Sequence, residues 1–175
     1  MFSKTVAFFR WAKPWREQSG TIDGVRLAMA LRQAIWSAPP NTVITLHVPS
    51  PPHALRLRAG TSDAAVFFQV FGEHQAHFPV PHNPSVVVDA GANIGLTVAV
   101  FASRFPSAKV LALEVEQDNF ALLQENTRGY ANVRPIRKAL WSRKARIQIT
   151  NLEAQSWAYQ VSEANVADPS SVEAL

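Results

Sequence analysis

The chain has 175 residues, of which 47% are hydrophobic and 17% charged, and its formal net charge is +4. This length suits one domain with a substantial core, and the balance of hydrophobic to charged residues excludes an intrinsically disordered chain. Cysteine is absent, which excludes a disulfide framework, a cysteine-based zinc site and a thiol nucleophile, and which fits a cytoplasmic protein.

The basic residues are scattered in small groups, so we expect a solvated surface and no nucleic-acid partner. No stretch approaches about 18 consecutive apolar residues, so we expect no transmembrane segment. Residues 1–11 combine aromatic and basic side chains. They are compatible with contact at a membrane surface, although packing on the rest of the fold is the simpler interpretation.

The first predicted elements are a helix and a β-hairpin. Residues 21–36 carry a large aliphatic side chain at every fourth position, which predicts a helix that the prolines at 39 and 40 end. Residues 42–48 are rich in β-branched side chains and predict a strand. Residues 55–58 alternate leucine and arginine, which predicts the return strand of a hairpin with one solvent-facing side.

A short helix and a connector follow the hairpin. Ser62 or Asp63 is predicted to cap a helix over residues 64–71, and Gly72 is predicted to end it. The connector contains three histidines whose spacing matches no helical pair of metal ligands, so we predict polar loop histidines and no metal site. These histidines are His74, His77 and His82.

From residue 86 onward the chain follows a β-α-β-α-β pattern. Strands that alternate with helices predict parallel pairing through right-handed crossovers, and therefore an α/β fold. Residues 146–150 alternate again and predict a strand, antiparallel and at an edge. The predicted strands of the core are residues 86–89, 109–114 and 132–140, and the predicted helices are residues 95–105 and 118–126.

The predicted elements divide the chain into three parts. Residues 1–41 form a basic and aromatic segment with its helix, and residues 42–85 form a hairpin and helix that lead into the core. Residues 86–175 form a partial cofactor-binding domain.

The turn after the first core strand carries the clearest chemical signal. A β-branched run ends in Asp89, and Gly91 and Gly95 bracket the turn that follows. A dinucleotide-binding turn needs a middle glycine close to the position of Asn93, and the Asp89 carboxylate would repel phosphates there. A cationic, phosphate-free cofactor such as S-adenosylmethionine fits better, because a carboxylate can bind its ammonium group.

A second acid lies one β-α-β unit further on. Glu114 ends the second core strand, where a carboxylate can accept hydrogen bonds from both hydroxyls of a ribose. The alternative interpretation is purely structural. Asp89 would then cap the next helix, the two glycines would serve turning and packing, and Glu114 would be a surface acid.

Residues 87–95, with the sequence VVDAGANIG, resemble the first motif of the FkbM-type methyltransferases, a branch of the class I S-adenosylmethionine-dependent methyltransferases. The second-strand acid with its helix, the third strand and the lead-in are similar to the corresponding segments of that family. The resemblance covers residues 42–145. It implies a Rossmann-like methyltransferase sheet with S-adenosylmethionine as cofactor.

The resemblance also implies site residues, position by position. It implies contacts to the methionine part of the cofactor, contacts to its ribose and a position near its adenine. The residues are Asp89, Gly91, Asn93 and Gly95 for the methionine part, Glu114 for the ribose and Ala139 for the adenine. The catalytic base is not identified, and the candidates are His74, His77, His82 and Asp63.

The chain departs from the family pattern in two ways. Val115 stands where the family usually has proline after the second-strand acid, a change expected to alter loop stiffness only. The family's fourth strand, which carries a Lys-x-Asp-x-Glu-Gly-like segment and lies beside the first, has no counterpart here. We therefore expect an incomplete sheet with an unpaired first-strand edge, and self-association through that edge.

The resemblance implies transfer of a methyl group to a hydroxyl of a sugar-containing or other small-molecule acceptor, which the sequence does not identify further. The alternative is a truncated, non-catalytic remnant or binding module that retains only the first half of the fold. An NAD-dependent oxidoreductase is a third hypothesis, and Asn93 argues against it.

Overall fold

The computed structural model describes residues 24–27, 29–33, 37–48, 50–72, 75–80, 82–151, 158–164 and 170–175. The aromatic and basic segment at residues 1–11 lies outside this part of the chain. The chain forms two compact units, Met1–Phe78 and Pro79–Leu175. None of the described helices is long and apolar enough to cross a membrane.

The first unit contains the predicted helix and hairpin. Residues 24–27 and 29–33 are helical and are called α1 here, with Leu27 and Leu31 buried. Strand β1 (Val43–Leu46) pairs antiparallel with β2 (Leu55–Arg58), which confirms the hairpin. The leucines of β2 are fully buried, whereas its arginines are partly exposed, because successive side chains of a strand point to opposite faces.

The short helix after the hairpin forms, but its N-terminus lacks the predicted side-chain cap. Helix α2 (Asp63–Phe67) continues into a π-helical turn (Phe68–Gly72). Ser62 occupies the N-cap position, but no capping hydrogen bond from its side chain is present among the described residues. The Asp63 carboxylate does not cap the helix either, since it accepts hydrogen bonds from the backbone and guanidinium of Arg58, each at 2.9 Å. The prediction of a side-chain cap by Ser62 or Asp63 is therefore wrong.

The second unit is built on a parallel sheet, as the β-α-β-α-β pattern predicts. In the described part of the chain the strands lie in the order β3-β4-β5 and pair parallel throughout. Because the two crossover segments are helical, the architecture is mixed α/β. The elements are β3 (Val86–Ala90), α3 (Leu96–Arg104), β4 (Lys109–Leu113), α4 (Gln117–Thr127) and β5 (Val133–Ile136).

One face of β3 is covered and the other is open. Val87 packs against a cluster formed by Phe101, Phe105 and Ala108 at the end of α3 and after it. Val86 and Val88 point to the opposite face and are 51% and 52% exposed. Strand β3 is also an edge of the sheet in the part of the chain that the structure describes.

A second, antiparallel sheet follows β5. Strand β6 (Arg146–Ile149) lies between β7 (Val161–Glu163) and β8 (Val172–Glu173). The antiparallel pairing is confirmed, but the edge position predicted for residues 146–150 is wrong. Strands β7 and β8 contain only three and two residues, too few for an alternating pattern to be recognised in the sequence.

Candidate functional site

The turn after β3 has an unusual backbone. Gly91, Asn93 and Gly95 all have positive φ angles, of 86°, 50° and 84°. Glycine adopts such angles at little cost, and asparagine tolerates them better than most residues. The backbone N–H groups of Gly91 and Ala92 both donate to the carbonyl oxygen of Leu113, at 2.9 and 2.8 Å, so the turn is anchored to the end of β4.

The two glycines of the turn have different surroundings. A Cβ atom added to Gly91 would meet no described heavy atom within 4 Å, so open space lies beside the backbone at this position. A Cβ atom on Gly95 would lie 2.6 Å from Cδ1 of Leu123 and 3.3 Å from its Cα. Gly95 thus lets the start of α3 pack closely on α4, whereas Gly91 leaves room for a ligand.

Two acceptor oxygens in this region are buried without a donor. They are Oδ2 of Asp89 and Oδ1 of Asn93, and no hydrogen-bond partner for either is found in the described part of the chain. Burial raises the pKa of the Asp89 carboxyl above its ordinary value. Because buried acceptors are rarely left unpaired in proteins, this pair makes the turn the candidate functional site.

Glu114 connects this turn to the one after β4. Its carboxylate accepts from the backbone N–H of Asn93 at 2.7 Å, and from those of Val115 and Glu116 at 2.9 and 2.8 Å. The residue is 6% exposed. Burial raises the pKa of the Glu114 carboxyl, and these three backbone hydrogen bonds oppose that shift. An ionised carboxylate has about four acceptor positions, so about one remains for a ligand.

The departure at Val115 has a structural consequence that the sequence does not reveal. A proline at this position would have no N–H, whereas the N–H of Val115 donates to Oε1 of Glu114. The expectation that this difference alters loop stiffness only therefore omits a direct contact with the candidate site. The next residue, Glu116, caps α4 by accepting from the backbone N–H groups of Asp118 and Asn119.

Ala139 lies in a core cluster against which Val115, the residue after Glu114, also packs. Its side chain is 5% exposed and packs with Ile147, Val172 and Ala174 in the core of the antiparallel sheet. Its carbonyl oxygen accepts from the N–H of Leu175 at 2.9 Å. A contact of Ala139 with an adenine stays a prediction.

Two residues that support the turn are given no role by the sequence analysis. The side-chain amide of Asn126, a buried residue of α4, donates to the carbonyl oxygen of Ile94 at 2.8 Å. This hydrogen bond fixes the turn to α4. Nε of the exposed Arg137 donates to the carbonyl oxygen of Val115 at 3.2 Å. The sequence signals for Asn126 are its place on the apolar side of α4, with the leucines at 122 and 123, and the resemblance of this helix to the corresponding helix of the FkbM-type family.

Two of the four candidate bases have described side chains, and neither gains support from its surroundings. Asp63 is fully buried and ion-paired with Arg58, so it cannot remove a proton from a substrate. His82 is exposed, whereas His74 and the side chain of His77 lie outside the described part of the chain. Within the described ranges there is no group of three or more histidine or acidic side chains that could hold a metal ion.

The comparisons with known proteins do not identify the chain. No protein-family model matches it, and no curated protein matches it significantly. The assignment of a function therefore depends on the residues and geometry of the turn after β3.

Proposed function

We propose that the unit Pro79–Leu175 binds S-adenosylmethionine at the turn after β3 and acts as an FkbM-type methyltransferase with a Rossmann-like sheet. The observation that carries this proposal is the pair of buried, unpartnered acceptor oxygens on Asp89 and Asn93, in a turn that leaves open space at Gly91. A ligand for this turn must supply hydrogen-bond donors and tolerate a carboxylate.

The residues favour a cationic cofactor over a dinucleotide. An ammonium group has three N–H donors and a positive charge, so it can satisfy both acceptors and neutralise the ionised Asp89. A pyrophosphate offers only oxygens and negative charge, and it would be repelled by Asp89. The absence of a side chain at Gly91 lets such a ligand approach the backbone closely.

Each residue of the turn has a separate task in the proposed site. Asp89 and Asn93 bind the ammonium group of the methionine part, Gly91 leaves room for it, and the remaining acceptor position of Glu114 is directed to the ribose. The cofactor supplies an electrophilic methyl group on a sulfonium. The contribution of the chain is mainly to hold donor and acceptor at reacting distance, and the proposed acceptor is a hydroxyl of a sugar-containing or other small molecule.

Calorimetric titration of the full chain with S-adenosylmethionine and with NAD tests the cofactor assignment. We expect micromolar binding of S-adenosylmethionine, no binding of NAD, and a loss of about tenfold or more in affinity on Asp89→Ala. Glu125→Ala is the matched control, because it removes a partly exposed acid of α4 and should leave binding unchanged. Binding of NAD in preference to S-adenosylmethionine would overturn the proposal.

A transfer assay separates an enzyme from a binding module. The binding module is supported by the open face of β3, where Val86 and Val88 are half exposed. Incubation with methyl-labelled S-adenosylmethionine and a panel of glycosides should move label to an acceptor hydroxyl. Binding of the cofactor without transfer to any acceptor would support a module that does not turn over.

A further inference from the structure

We propose that Glu114 is a positioning residue that holds Asn93 in its left-handed conformation and thereby keeps the amide oxygen of Asn93 in the site. The consequence for a ligand rests on the proposed function. The hydrogen bond from the Asn93 N–H to Glu114, called the clamp here, is a property of the ligand-free chain. The clamp and the binding of a ligand can therefore be tested separately.

The carboxylate of Glu114 divides its two oxygens between two turns. Oε2 accepts from Asn93 in the turn after β3, and Oε1 accepts from Val115 and Glu116 in the turn after β4. The bond to Asn93 is 2.7 Å long and spans 21 residues of sequence. Hydrogen bonds to an ionised acceptor are shorter and stronger than neutral ones. Glu114 is therefore suited to fix the position of one turn relative to the other.

Asn93 is the residue of the turn that most needs such support. Its φ of 50° is uncommon for a residue with a side chain. On either side of it, Ala92 donates to Leu113 and Gly95 donates to Ala92. The carbonyl of the next residue, Ile94, is held by Asn126. The N–H of Asn93 donates to Glu114. The clamp therefore adds a hydrogen bond at Asn93 to those that already fix its neighbours in the turn.

This role makes a different prediction from a contact with ribose alone. If Glu114 acted only on the ribose, its replacement would weaken every adenosine-containing ligand by the same factor. If it positions Asn93, its replacement should weaken ligands that carry the amino-acid part more than those that lack it. S-adenosylhomocysteine and 5′-methylthioadenosine are suitable probes, because they share the adenosine and differ in the amino-acid part.

The first experiment measures the clamp in the ligand-free chain. Glu114→Gln keeps the size of the side chain but presents an NH2 group to at least one of the two turns. We expect the amide resonance of Asn93 to shift upfield and its hydrogen exchange to accelerate about tenfold or more. Glu116→Gln is the matched control, because the Glu116 carboxylate accepts from the start of α4. The backbone N–H of Glu116, which donates to Glu114, is unchanged by this substitution, so the Asn93 amide should be unaffected.

The second experiment measures binding of the two probes by calorimetry. We expect Glu114→Gln to weaken S-adenosylhomocysteine about tenfold more than 5′-methylthioadenosine. An unchanged Asn93 amide, or an equal loss for both probes, would overturn the positioning role. If wild type binds neither probe while the Asn93 amide responds as expected, the clamp stands and the proposed function fails. If Glu114→Gln does not fold, Glu114→Asp provides the same test, because it keeps the charge but is too short to reach both turns.

Discussion

Asp89 is subject to two opposing requirements. In the chain without ligand its Oδ2 is buried with no donor among the described residues, and this burial raises the pKa of the carboxyl. An ionised group in such a place destabilises the fold, and the same group attracts a cationic ligand. Residues that trade stability for binding in this way are common at functional sites.

Asp89→Asn should separate these two effects. We expect the free energy of unfolding of the ligand-free chain to rise by about 0.5–2 kcal/mol at neutral pH, because the variant removes a buried charge without changing the size of the side chain. The affinity for S-adenosylmethionine should fall about tenfold or more. Denaturant titration and calorimetry on the same sample measure the two quantities.

The direction of the pH dependence provides the check on this prediction. A carboxyl with a raised folded-state pKa stabilises the fold below its unfolded pKa, and this contribution is lost as the pH rises through the folded-state pKa. The advantage of Asp89→Asn should therefore grow as the pH rises from below 3.8, the ordinary pKa, to neutrality. Over the same interval the wild type should bind S-adenosylmethionine more tightly. A difference that does not vary with pH would show that the Asp89 charge is not responsible.

At the level of elements, the turn between β3 and α3 combines a packing requirement with the proposed binding role. Gly95 lies against Leu123 of α4, and Gly91 faces open space. Both have positive φ angles, so backbone conformation alone does not explain why both are glycine. Their surroundings assign close helix packing to Gly95, and the open space at Gly91 fits the ligand access that we propose.

Alanine substitutions should distinguish the two glycines. Gly91→Ala introduces strain in the left-handed region and should cost about 1–2 kcal/mol of unfolding free energy. Gly95→Ala adds a clash with Leu123 to the same strain and should cost about 1–3 kcal/mol more. Gly91→Ala should nevertheless weaken S-adenosylmethionine binding, since its methyl group enters the open space. Equal destabilisation by the two changes, measured by denaturant titration, would contradict this assignment.

At the level of the whole molecule, the parallel sheet is unevenly protected. Strand β5, at one edge, contains Pro135 and the exposed Arg134, which discourage pairing with another strand. Strand β3, at the other edge in the described part, exposes Val86 and Val88. Parallel sheets are normally covered on both faces, so this edge and face are suited to association.

We therefore expect the wild-type chain to self-associate, and Val88→Lys to shift it toward monomer, because a charge on the edge strand disfavours strand pairing. Light scattering coupled to size-exclusion chromatography over a range of concentrations measures this. Leu140→Lys is the control, because Leu140 is 58% exposed and lies outside the strands. A monodisperse wild-type monomer at every concentration would contradict the prediction.

Much of the parallel core could be predicted from local patterns. The β-branched run before Asp89 and the apolar helix after Gly95 indicate their elements without knowledge of the rest of the chain. Strands β7 and β8 could not be predicted in this way, because two or three residues form a strand only when β6 lies between them. The prediction that Asp63 caps α2 was wrong for a similar reason. Its carboxylate accepts from the guanidinium of Arg58, a contact that local helix-capping patterns do not specify.

The sequence by itself determined the order of strands and helices in the core and the position of the acid-and-glycine turn, because hydrophobic periodicity and turn residues act over a few neighbouring positions. Only the tertiary structure decided which residues surround the turn. It paired Glu114 with Asn93, buried Ala139 in another cluster, and left oxygens of Asp89 and Asn93 without described donors. These outcomes depend on which distant residues meet at the end of the sheet, and local patterns do not specify such meetings.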